Sequence, residues 1–134
     1  MKFFIAMRVP RGDPSAELLA SAVAEVLNST GNTPFIAYQE IARRGLSPEQ
    51  FMPYVRGEIS TSNIVLVVYS PDLRGGLIEL GIAYALGVPV WMAVHKGERV
   101  SSSARACASK IIEYTTVQEL ETDLRVAITG GNSL

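Results

Sequence analysis

The 134-residue chain is poor in the residues that build disulfides and metal sites, with one cysteine and one histidine. A single thiol, Cys107, excludes an internal disulfide framework and suits a reducing compartment, so a cytoplasmic protein with a buried, inert thiol is expected. With His95 as the lone imidazole and no ligand-spaced cluster of acids, neither a metal nor any other cofactor is expected. Long apolar runs are missing too. The longest are strand-length, well short of the roughly 20 residues of a membrane span, so no membrane partner is expected. The N-terminal apolar run stops at Arg8, too early for a signal peptide, and reads as a first strand. Charge of one sign is not in excess: a net charge of -1 and a pI near 5.8 leave no basic footprint for nucleic acid. Repeats, low-complexity tracts and the GxxxxGK[ST] and GxGxxG spacings of common nucleotide loops are also lacking.

What the chain does have is apolar residues, at 48% of the sequence and a mean hydropathy of +0.21. That content and length suit one compact domain over residues 1–129, with 130–134 as a flexible tail. The most informative stretch runs from Asn63 to His95. Ile64 to Tyr69 is a branched and aromatic run, apolar on both faces, as in a buried parallel strand. A polar turn follows, from Ser70 to Gly76, and then a helical segment from Leu77 to Leu86. Gly87 and Pro89 close that helix, and Pro89 to Val94 supplies the next strand.

The remaining chain repeats the alternation. Lys2 to Met7 reads as the first strand. Asp13-Pro14 is an N-cap and N1 pair opening a helix with Leu18, Leu19, Ala22, Val23, Val26 and Leu27 on its apolar face. Thr33 to Tyr38 reads as strand two and Gln39 to Leu46 as a loop or short helix. Ser47 to Gln50 has capping-box spacing for a helix reaching about Thr61, with Pro53 expected to kink it or delay its start. After the central unit come a short helix capped by Ser101 to Ser103, a fifth strand from Ile111 to Tyr114, and a second capping box at Thr116 to Glu119. That box opens a last helix with Leu120, Leu124, Ala127 and Ile128 on one face. Five strands alternating with helices predict a doubly wound, Rossmann- or flavodoxin-like α/β parallel sheet of order 2-1-3-4-5.

In such a sheet, ligands bind outside the carboxyl ends of the strands at the switch point, here between strands one and three. Two loops meet there. Arg8 to Asp13 carries Arg8, Arg11 and Gly12; Ser70 to Gly76 carries Ser70, Asp72, Gly75 and Gly76 and delivers Glu79. Glu79 is expected in the first turn of its helix, where the dipole and free amides favour the carboxylate. Such a carboxylate can attack an electrophilic carbon, and breaking a glycosidic bond commonly uses one carboxyl as nucleophile and one as acid. Glu79 and Asp72 fit that pair, although first-turn glutamates are also common for structural reasons alone. Gly75-Gly76 fits either a phosphate cradle or a tight turn. Arg8 and Arg11 suit either an anion ligand or solvated loop charges. Gly81 and Ala85 are expected to allow close packing on the sheet.

The segment VVYSPD, a glycine-bearing turn and IELGIAYALGVPV resembles the nucleoside 2-deoxyribosyltransferase family. The resemblance implies that Glu79 attacks C1′ of a deoxyribose. Arg11-Gly12 and the serines after strand four, Ser101 or Ser102, are similar to the phosphate ligands of the 2′-deoxynucleoside 5′-monophosphate N-glycosidases, a branch in which a neighbouring subunit donates one serine. A small-molecule nucleoside or nucleotide substrate and a homodimer or higher homo-oligomer are therefore implied. Two positions depart from the family pattern: the aspartate of the helix before strand three falls on Val55, and the loop residue six before the nucleophile is Leu73. The alternatives are a non-catalytic nucleotide-binding module and a TIR-like enzyme cleaving NAD.

Overall fold

The computed structural model describes residues 1–130; of the tail expected over 130–134, residues 131–134 lie outside them. The elements are β1 (Lys2–Ala6), α1 (Pro14–Ser29), β2 (Thr33–Ile36), α2 (Ala37–Arg44), α3 (Pro48–Ser60), β3 (Ile64–Val68), α4 (Gly75–Leu86), β4 (Val90–His95), α5 (Ser102–Ala106), β5 (Lys110–Tyr114) and α6 (Val117–Thr129). The five strands form one wholly parallel sheet in the order β2-β1-β3-β4-β5, as the alternation of elements predicted. No helix among the described residues is long and apolar enough to cross a membrane.

Strand periodicity splits the core in two. Phe3, Ile5, Leu66 and Val68 point to the face covered by α1 and α6. Phe4, Ala6, Val65 and Val67 point to the other, where Val55 and Ile59 of α3 and Leu80 and Ala83 of α4 meet them. Both faces are covered, so β3 is buried along its whole length and its sequence shows no polar alternation.

Local chemistry fixes the helix starts. The Ser15 N–H donates to Asp13 Oδ1 at 3.0 Å, with Pro14 at N1. Ser47 and Gln50 close their capping box, the Ser47 N–H donating to Gln50 Oε1 at 2.8 Å. Thr116 caps α6 through the Glu119 N–H, but the Glu119 carboxylate reaches one residue further back, to the Thr115 N–H at 2.7 Å.

Several boundaries differ from expectation. Strand two ends at Ile36, and Ala37 and Tyr38 already belong to α2, whose end is set by Gly45 at φ 62°. Pro53 lies inside α3 and does not delay its start at Pro48. Leu18 is exposed; Ala16 and Ala20 hold the inner face of α1 instead. Cys107 is only half-buried. The α4 helix begins at Gly75, two residues before the expected Leu77, and that shift alters the site.

Candidate active site

Two loops converge where β1 and β3 diverge. The first turns at Pro10 to Asp13, closed by Asp13 N–H donating to the Pro10 carbonyl at 2.9 Å. Its central residues, Arg11 at φ 50° and Gly12 at φ 81°, are both left-handed, as in a type I′ turn. Glycine enters that region freely and arginine at a cost of about 1 kcal/mol. The second loop runs from Tyr69 to Arg74. Arg8 joins the two: its guanidinium pairs with Asp13 and lies 3.7 Å from Asp72 Oδ1. The Ser15 hydroxyl and Arg8 hold the Asp13 carboxyl below its ordinary range.

Between the loops and α2–α3 lies a cleft of about 670 Å³. Of the residues expected at the site, it gathers Arg8, Arg11, Asp72, Gly75, Gly76 and Glu79. Its far wall is apolar, with Ile41, Leu46, Phe51, Met52 and Val55. Those dimensions suit a molecule the size of a nucleotide.

Glu79 is the one carboxylate placed between this apolar wall and the sheet. It occupies the fifth position of α4, in the second turn, because Gly75 and Gly76 are the first two helical residues rather than loop. The dipole and free amides expected to hold it ionised therefore act a turn away. Burial dominates instead and pushes its carboxyl up to about 8. Among the described residues it has neither a hydrogen-bond partner nor an ion pair.

Of the glycine pair, Gly76 is explained by packing. A Cβ on Gly76 would sit 2.5 Å from Leu73 Cδ1, while Gly75 faces open space. Leu73 is buried and roofs the start of α4. Close packing on Leu73, inside the helix rather than in a turn, accounts for Gly76.

Four expected site residues lie elsewhere. Ser70 points to the opposite side of β3, where it lines a smaller cavity of about 130 Å³ with Ser15, Tyr69 and Tyr114, its buried hydroxyl unpartnered. The adjacent Tyr69 is half-buried against the core on the α3–α4 face, its hydroxyl donating to the Arg99 carbonyl. Gly12 shapes its turn without lining the cleft. Ser101 and Ser102 stand at the start of α5, where the Ser101 hydroxyl accepts from the Ala104 N–H at 3.2 Å; neither lines the cleft of its own chain.

The cleft also holds residues not anticipated. Arg74, adjoining Gly75, brings a third guanidinium, and it and Arg11 form no ion pair among the described residues. The α2–α3 wall went unrecognised because Gln39 to Leu46 gave no clear periodicity. Val55 is fully buried against the cleft, and Glu58, the nearest acid in sequence, is committed to Lys2 at 2.7 Å.

Comparison with known proteins agrees with this architecture. No protein-family model matches the chain, and no curated protein does. Solved structures do. A CMP N-glycosidase from Clostridium botulinum, BcmB, superposes with a TM-score of 0.76 at 16% identity, covering 95% of this chain and 99% of that one. The solution structure of BlsM gives 0.76 at 20% identity, covering 97% and 90%. A 2-deoxyribosyltransferase from Bacillus psychrosaccharolyticus gives 0.64 at 20% identity, covering 90% of each. At these identities the matches show a common fold across essentially the whole domain.

Proposed function

We propose that this protein is an enzyme cleaving the N-glycosidic bond of a nucleoside or its 5′-monophosphate, with Glu79 as nucleophile. The observation that carries the reading is the placement of Glu79: a largely buried carboxylate lining a nucleotide-sized cleft at the switch point of the sheet. Its fold, shared with an N-glycosidase and a deoxyribosyltransferase, supports the same class of bond.

The chemistry runs in two displacements. The Glu79 carboxylate attacks C1′ of the sugar; the C1′–N bond breaks and its electron pair leaves with the base, which takes up a proton. Water then attacks C1′ of the glycosyl-enzyme, loses a proton, and frees Glu79. A second base in place of water makes the reaction a transfer. Asp72, exposed on the loop that leads into α4 and held near Arg8, is the second carboxyl and serves as the proton donor. The apolar wall accepts the base, and Arg11 and Arg74 draw a 5′-phosphate to the lip. The protein works as a homodimer or higher homo-oligomer in the cytoplasm.

Purified protein is incubated with deoxyribo- and ribonucleoside 5′-monophosphates, the free nucleosides and NAD, and free base is followed by chromatography. Base release from a nucleotide, abolished in Glu79→Ala, is expected. Release that persists in Glu79→Ala removes the nucleophile. A non-catalytic nucleotide-binding module is the second reading, favoured by Val55 where a carboxylate would assist leaving-group protonation; binding without release supports it. Release from NAD alone supports the TIR-like alternative.

A further inference from the structure

Behind Arg8, on the α1 side of the sheet, lies the second cavity, of about 130 Å³. Its floor is apolar, made by Met7, Leu19 and Val68. Some of its polar side chains are committed within the protein. Arg8 pairs with Asp13, the Ser15 hydroxyl donates to Asp13 Oδ1 at 2.8 Å, and the Tyr69 hydroxyl donates to the Arg99 carbonyl at 3.0 Å. Ser70, Glu98 and Tyr114 are not committed. The Ser70 hydroxyl is buried and unpartnered. Among the described residues the half-buried Glu98 carboxylate forms no ion pair and the Tyr114 hydroxyl no hydrogen bond. Burial, and after it the Glu98 charge, push the Tyr114 hydroxyl above its ordinary range. It therefore keeps its proton, and the carboxylate lies close by.

The sign of the uncompensated charge selects the ligand. Groups that could hold an anion at this end of the sheet are already spent. Arg8 is shared between Asp13 and Asp72, and the Ser15 N–H at the start of α1 is capped by Asp13. What remains is Glu98, which accepts hydrogen bonds and cannot donate them. Lys96 and Arg99, the cations nearest it in sequence, are exposed and do not line the cavity. A ligand must then bring N–H donors and a positive charge to the polar end and hydrocarbon to the floor. An apolar cavity of about 150 Å³ holds a benzene ring, so this one takes about six heavy atoms.

We infer that this cavity is a binding site for a small alkylammonium ion, its N–H donors meeting Glu98, Ser70 and Tyr114 and its tail lying on Met7, Leu19 and Val68. An ammonium carries three donors for those three acceptors. Met7 and Arg8 border both this cavity and the cleft, but Glu79 and Asp72 line the cleft alone. Binding here is therefore independent of turnover, and it stands or falls apart from the assignment of Glu79 as nucleophile.

The test is a titration of the isotope-labelled full chain, followed by the amide resonances in proton–nitrogen correlation spectra at neutral pH and constant ionic strength. The probes are 3-methylbutylammonium, the isosteric alcohol 3-methylbutan-1-ol, and the anion 3-methylbutanoate. Saturable shifts at Ser70, Glu98 and Tyr114 are expected from the ammonium, with a dissociation constant at or below about 1 mM. The alcohol should bind at least about tenfold more weakly, and so should the ammonium to Glu98→Gln, whose own spectrum reports its fold. Equal affinity for ammonium and alcohol, or an unchanged affinity in Glu98→Gln, overturns the charge selection. Tighter binding of the carboxylate overturns its sign. No saturation at Ser70 up to about 20 mM ammonium, or shifts confined to Gly76 and Glu79 in the cleft, overturns the site. Should Glu98→Gln fail to fold, the three probes on the parent decide the matter alone.

Discussion

Arg8 Nε lies 3.7 Å from Asp72 Oδ1, across the gap between two loops separated by more than half the sheet in sequence. The same guanidinium pairs with Asp13 at the start of α1. Arg8 is thereby engaged with protein carboxylates on both sides, and its place at the site is that of a clamp. Replacing it with alanine is expected to lower stability by no more than about 1 kcal/mol, because the pairs are partly open to solvent. The larger effect is on turnover, through loss of the register between Asp72 and the cleft. Arg8→Lys restores only part of it, since one ammonium cannot span both carboxylates as a guanidinium does. Thermal melts and steady-state kinetics of the two variants separate these effects.

Glu79 sets the pH dependence. As a buried acid raised to about 8, it is protonated at neutral pH, and the nucleophilic carboxylate grows as pH climbs through that value. In Asp72→Asn, where Glu79 is the one carboxyl of the pair left to titrate, the rate of base release at low substrate should therefore rise tenfold per pH unit below about 8 and level off above it. Glu79→Gln is expected to lose at least about 1,000-fold in kcat.

The same burial makes a stability prediction. In the unfolded chain Glu79 ionises near its ordinary 4.5. Below that value both states are protonated, and burial of the neutral acid incurs no titration penalty. Between there and about 8 the penalty grows, reaching its full size above 8, where the fold must hold a buried anion. Glu79→Gln should thus match the parent near pH 4 and exceed it above pH 8 by roughly 1–3 kcal/mol, discounted from the full shift because the side chain is partly open to solvent. Denaturant melts across the pH range read this directly.

Arg11 and Arg74 are the guanidiniums left without ion-pair partners at the lip. Losing either is expected to raise KM for a nucleoside 5′-monophosphate by about 10- to 100-fold, the range of one charge-assisted hydrogen bond. KM for the matching nucleoside, which has no phosphate, should stay within twofold. Parallel kinetics on the two substrates check the split.

The neighbouring glycines behave differently under the same substitution. Gly76→Ala drives a methyl into Leu73 at 2.5 Å, and is expected to destabilise by about 1–3 kcal/mol and to disturb Glu79. Gly75→Ala meets open space and should change stability by less than about 0.5 kcal/mol. Melting curves of the pair distinguish packing at Gly76 from a general need for glycine in the turn.

Much of this molecule was readable from residues alone, for identifiable reasons. Apolar strands, Asp13-Pro14 and Ser47 to Gln50 are local signals, and the structure keeps them because tertiary packing does not oppose them. The switch point followed from strand order, and with it the meeting of Arg8, Arg11, Asp72 and Glu79. Side-chain direction did not follow. Ser70 lies two residues past the end of β3, where a single residue decides which side of the sheet it serves, and it falls opposite the cleft. Gly75-Gly76 looked like loop because glycine weakens helices, yet Leu73 packs over Gly76 and α4 starts at Gly75. That two-residue shift moved Glu79 out of the first turn and exchanged dipole stabilisation for desolvation. Arg74 and the α2–α3 wall carried no periodic signal, since their roles come from facing a cavity that only the assembled fold creates.

The most direct test of the central claim is chemical capture of the glycosyl-enzyme. A 2′-deoxy-2′-fluoroarabinosyl nucleotide slows both displacements by destabilising the positive charge at C1′, and it slows release of the sugar from the enzyme as well. Intact mass followed by peptide mapping should show one added sugar phosphate per chain, on the peptide containing Glu79, and none on Glu79→Gln. A sugar attached to any other residue, or base released with no adduct formed while Glu79→Gln releases it equally fast, would contradict a Glu79 nucleophile.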